Sequence, residues 1–113
     1  MNEIIANKFI EILEQARKVA NEIEDPYNHA EFLLDIAEIT KDINDIEKAR
    51  EIVNEIEDLY AQAKIFAYIA YITNDINYLE KAREIASKIE DPHTHARALI
   101  RISEILVWGR AMV

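Results

Sequence analysis

The 113-residue chain has no cysteine, one glycine and two prolines, and none of its apolar runs approaches the length of a membrane span. Without cysteine there is no disulfide, no thiol nucleophile and no thiolate zinc site. So little glycine and proline leaves too few turn residues for an all-β chain or a Rossmann-like α/β chain, both of which use them at many connections. What remains is a helical protein. The opening segment, MNEIIANKFIEILEQARK, lacks the basic region and small-residue cleavage site of a signal peptide, so a cytoplasmic protein without a transmembrane helix is expected. Positive charge is also scarce: 13 Lys and Arg stand against 22 Asp and Glu, for a net charge of -9. An acidic surface repels phosphate, so neither nucleic acid nor an anionic membrane is the expected partner.

Half of the residues are apolar, enough for a folded chain, and the length suits one domain over residues 1–113. The abundance of Ile, Glu and Lys matches the compositional bias of hyperthermophile proteins. An internal repeat organises the chain. Ile-Glu-Asp recurs at Ile23 to Asp25, Ile56 to Asp58 and Ile89 to Asp91, a period of 33. Cutting at that period gives units 15–47, 48–80 and 81–113 after a 14-residue lead. One apolar stripe runs Ala49, Ile52, Val53, Ile56, with counterparts from Ala16 to Ile23 and from Ala82 to Ile89. A second runs Leu33, Ile36, Ala37, Thr40, with counterparts from Phe66 to Thr73 and from Leu99 to Leu106. Spacings of three and four mark helix faces, so each unit holds two amphipathic helices.

Caps mark the same helices independently. Asp25-Pro26 and Asp91-Pro92 place an N-cap acceptor before a proline at the first helical position, and Asp58 stands at the matching place in the middle unit. Asn44 with Glu47 and Asn77 with Glu80 have capping-box spacing. Helices are predicted near 2–24, 27–41, 45–57, 59–73, 78–90 and 93–108. The first runs through because KFIEI at Lys8 to Ile12 lacks a breaker, and residues 1–14 are expected to extend it as a cap over the first unit.

The A-x-x-L-x-x-I-A alternation, the small residues at Ala37, Ala70 and Ser103 and at Ala49 and Ala82, and the Asp-Pro hairpins resemble the tetratricopeptide (TPR) repeat over about residues 16–108. The period is 33 rather than 34, and Leu33-Ile36-Ala37-Thr40 replaces the Trp-Leu-Gly-Tyr signature. HEAT-type repeats are the helical alternative. Ankyrin repeats share the length but need a glycine-bearing turn that is absent. The resemblance implies an all-α fold, an α-solenoid of three helical-hairpin repeats wound as a right-handed superhelix, with a concave groove for a peptide or protein ligand. The groove face would carry Glu31, Leu34, Asp35 and Glu38, then Lys64, Ala67, Tyr68 and Tyr71, then Arg97, Ile100, Arg101 and Glu104. Lys64, Tyr68, Tyr71, Arg97 and Arg101 are the candidate binding residues, since aromatic and Arg side chains dominate interface hot spots. Arg97 and Arg101 match the basic pair of carboxylate-clamping TPR domains, but Leu34, Glu38 and Tyr68 replace the rest of that clamp.

No catalytic constellation is present: there is no phosphate loop, no H-E-x-x-H and no Ser-His-Asp arrangement. His29, His93 and His95 are the neutral-pH titrators, yet His93 and His95 do not share a helix face. No enzyme activity, cofactor or metal is therefore expected. Charge is uneven, with -2 on residues 1–14 and -6, -3 and +2 on the three units. That polarity favours head-to-tail association. A self-assembling unit is the alternative function, a weak homodimer through an uncovered C-terminal helix that presents Leu106, Trp108, Met112 and Val113.

Overall fold

The computed structural model describes residues 1–109, and all six α-helices lie there, with no strand among the described residues. They are α1 (Glu3–Ala20), α2 (Pro26–Thr40), α3 (Ile43–Ile52), α4 (Leu59–Thr73), α5 (Ile76–Ser87) and α6 (Pro92–Trp108), and a 3₁₀ turn, Val53–Glu55, extends α3. Met112 and Val113 fall outside the described residues. The molecule is elongated, 52 × 28 × 22 Å.

Local chemistry explains the boundaries. Asp25, Asp58 and Asp91 accept the amides of Asn28, Ala61 and Thr94 at 2.9, 2.8 and 2.9 Å, so α2, α4 and α6 start 33 residues apart with the same cap. At α3 and α5 the caps are Asp42 and Asp75, which accept the amides of Asn44 and Asn77 at 2.9 Å each. The expected capping boxes at Asn44 and Asn77 are therefore corrected by two residues. Thr40 and Thr73 decide this. Each hydroxyl donates back to a carbonyl one turn earlier, Ile36 or Ile69, and accepts the amide of Asp42 or Asp75. Lys41 and Asn74 between them take left-handed backbone, φ 61° and 57°. The chain thus reverses in two residues and the following helix begins early. Gly109, at φ 71°, ends α6 and donates its amide to Ile105 at 2.8 Å.

Packing follows the apolar stripes. α2 packs on α3, α4 on α5, and α2, α4 and α6 lie side by side in that order. Ala49, Ile52, Val53 and Ile56 are buried, as are Ala82, Ile85 and Ala86. Small residues at these crossings let helix axes approach closely. α4 is the centre, buried at every position from Ile65 to Ala70, because α2, α5 and α6 enclose it.

α1 departs from expectation. It runs without a break, but it ends at Ala20, with Asn21 as its C-cap. It rests on α2, and Arg17 ties it to α3: Nε donates to Asp45 Oδ1 at 2.9 Å and Nη2 to Oδ2 at 2.8 Å. Asp45 is buried, and the hydrogen bonds that Arg17 donates to it and to Glu14 strengthen the hold of the guanidinium on its proton. Yet Ala16 and Val19, whose counterparts are buried in α3, lie exposed.

Candidate interaction site

The middle of the expected groove is built on tyrosine rings. Tyr27 opens α2 and Tyr60 opens α4, and Lys64 Nζ sits 4.8 Å from the centroid of each. A cation held over two π faces is stabilised by ring quadrupoles. One repeat period further on, Arg97 and Arg101 project from α6 one turn apart. With Tyr60, His93, Ala96, Ile100 and Glu104 they line a groove of ≈ 480 Å³. Lys64, Arg97 and Arg101 therefore converge around Tyr60.

The two arginines are the chemically open groups. Neither lies within ion-pair distance of a carboxylate among the described residues. Among the described residues, Arg97 Nη2 reaches only His93 Nε2, at 3.2 Å. Arg101 Nη1 is buried without a hydrogen-bond partner among the described residues. In a chain of net charge -9, cations not neutralised internally are available to an anionic partner.

Two of the candidate residues lie elsewhere. Tyr68 is wholly buried, 0 % exposed, and its hydroxyl donates to Asp35 Oδ1 at 2.7 Å. Its place on the open face is thereby corrected. The stripe from Lys64 to Tyr71 does exist, but α2 and α6 close over its middle. Leu34 and Ala67 are buried for the same reason. Tyr71 is half-buried, its ring 6.5 Å from that of Tyr68 and packed against Gly109. A Cβ at Gly109 would come within 2.9 Å of Tyr71 Cζ, so residue 109 needs to be glycine for space as well as for its positive φ. Tyr27 and Tyr60 were the residues missed. Their signal was their position just inside Asp-capped helix starts, where a side chain flanks the neighbouring hairpin.

The C-terminal expectation changes too. Leu106 is half-buried, lining a ≈ 200 Å³ hollow with Ala70, Ile76 and Leu79, and Ile102 and Ile105 are buried. Trp108, which belongs to the same expectation, is 51 % exposed, and Leu99, Ile100 and Val107 on α6 are exposed as well.

The histidines are dispersed. His29 Nε2 lies 2.9 Å from Asn21 Oδ1, and burial, with Lys48 nearby, lowers its pKa below the usual 6.5. Among the described residues no cluster of three His, Asp or Glu side chains could hold a metal ion. No helix among them is long and apolar enough to cross a membrane. No protein-family model, curated protein or solved structure matches the chain.

Proposed function

We propose that the chain is a non-enzymatic interaction module, a TPR-like array of helical hairpins that binds an acidic peptide segment of a partner protein. The observation that carries this reading is the pair Arg97 and Arg101, two cations without a carboxylate partner among the described residues, beside Tyr60 in an open groove. Lys64, held on Tyr27 and Tyr60, extends the positive surface toward the centre of the molecule. Aromatic rings beside guanidinium groups supply apolar contact and charge-assisted hydrogen bonds in one place.

The repeat reading is supported by helix starts at Pro26, Leu59 and Pro92 and by the shared Asp caps. A right-handed superhelix and a cytoplasmic setting belong to the same proposal, the first from the family resemblance and the second from composition.

A fluorescein-labelled peptide of about ten residues built from Asp, Glu and Leu tests it by anisotropy. Saturable binding is expected at roughly micromolar to millimolar concentrations. It weakens as salt screens the charges and falls at least about tenfold in Arg97→Glu, the loss of one charge-assisted contact. A Lys-rich peptide of the same length that bound as well as the acidic one would overturn the proposal.

A further inference from the structure

Counterparts 33 residues apart have the same surroundings inside the molecule, so a position that is exposed while its counterparts are buried shows where a neighbour is missing. Such positions gather at both ends. At the N-terminal end, Val19 is 54 % exposed while Ile52 and Ile85 are buried, and Phe32 is 41 % exposed while Ile65 and Ala98 are buried. Ile39 is exposed where Ile105 is buried. These side chains lie on the sides of α1 and α2 that would receive a preceding helix of the α2, α4, α6 series. Ala16, Val19, Ala20, Ile23, Phe32 and Ile36 line an apolar groove of ≈ 360 Å³ there.

At the C-terminal end the mirror-image vacancy appears. Leu99 is 42 % exposed while Leu33 and Phe66 are buried, and Ile100 is 61 % exposed while Leu34 and Ala67 are buried. Ala96 and Ser103 are exposed where Ala30, Ala63, Ala37 and Ala70 are buried. α6 thus presents the surface that α2 gives to α3 and α4 gives to α5. α1 presents the surface with which α3 and α5 receive it.

We propose that these ends are complementary and that the occupant is a second copy of this chain, joined head to tail. α6 of one copy packs on α1 and α2 of the next, in the arrangement α4 has with α5 and α6. Charge supports this choice of occupant, because residues 1–47 carry -8 and residues 81–113 carry +2. Residue pairing supports it as well. Inside the molecule Tyr68 bonds Asp35, its counterpart one period earlier. Continued across the junction, that relation sets Asp35 of the following copy against Arg101, whose Nη1 has no hydrogen-bond partner among the described residues. Such a contact is heterologous, so it extends rather than closes at two chains.

The inference rests on the repeat reading and shares Ala96, Ile100 and Arg101 with the proposed peptide groove, so a second copy and a peptide compete there; association is measured without peptide and the variants avoid Arg97 and Lys64, so that either proposal can fail alone. Sedimentation equilibrium is measured on the 113-residue chain from about 10 μM to about 1 mM, the range in which small apolar ends associate. The mass is expected to rise above the 13.1 kDa of one chain and to keep rising past two. Val19→Glu blocks one end and Leu99→Glu the other, both at exposed positions. Each variant alone stays monomeric. Mixed in equal amounts they form a species of two chains and no larger, because one intact tail meets one intact head. Dimers of Leu99→Glu alone would show instead that α1 pairs with α1 and overturn the proposal. A wild-type chain monomeric throughout the range would overturn it too, leaving the end faces to a different protein.

Discussion

At the scale of single residues, the structure separates side chains that share a helical stripe from side chains that share an environment. Tyr68 and Lys64 are one turn apart on α4, yet Lys64 lies over Tyr27 and Tyr60 while Tyr68 is enclosed between α2 and α6. The Tyr68 hydroxyl is then a structural group, and its hydrogen bond to Asp35 links two neighbouring helices. Tyr68→Phe is expected to lower the unfolding free energy by about 1.5–3 kcal/mol, the worth of one hydrogen bond to a carboxylate. Peptide binding should stay unchanged. Urea denaturation measures the first and anisotropy the second; a large loss of binding without loss of stability would return Tyr68 to the interaction surface. The aspartate caps were legible in the sequence because their chemistry is local. The burial of Tyr68 was not, because a spacing of three and four shows which residues lie together but not what covers them. The uninterrupted run IFAYIAYI in α4 was the available signal, since a helix apolar on every side is an enclosed one.

At the scale of elements, equivalent helices differ by what lies beside them. α3 and α5 bury their stripes against α2 and α4, whereas α1 carries the same stripe with Ala16 and Val19 exposed. Ala82 is fully buried and Ala16 is exposed, although both hold the same place in the 33-residue period. Ala82→Leu should therefore cost about 1–3 kcal/mol by overpacking a close crossing. Ala16→Leu should lie within about 0.5 kcal/mol of wild type. Equal denaturation midpoints at low micromolar concentration would show that the two sites are not distinguished as described. Helix number, order and starts were legible to within a few residues, because the caps and stripes repeat. The ends of α1 and α3 were not. Ile23 continues the apolar pattern on paper, but the amides of Glu22 and Ile23 bond carbonyls only three residues back, so the last turn tightens before the chain leaves the helix.

For the whole molecule, the consequence is a body whose helices mostly touch their neighbours in order. In the proposed repeat array, stability is a sum of unit and interface contributions, and the ends resemble the interior cut open. All-helical character was legible from the scarcity of glycine and proline. The open side of α1 was not, because the lead helix carries the same stripe that buries α3 and α5, and only the packing shows that Ala16 and Val19 stay exposed. Repetition is the central claim, and it is tested most directly by thermal unfolding of a chain in which residues 48–80 are duplicated. The new junction joins Glu80 to Lys48, reproducing the Glu-Lys step already present at Glu47-Lys48 and Glu80-Lys81, so no new local sequence is made. The longer chain is expected to keep its helicity per residue, to unfold in one transition and to melt several degrees higher, because the insertion adds one unit and one more interface of the interior kind. A lower melting temperature, or a separate early transition for the added residues, would contradict the account.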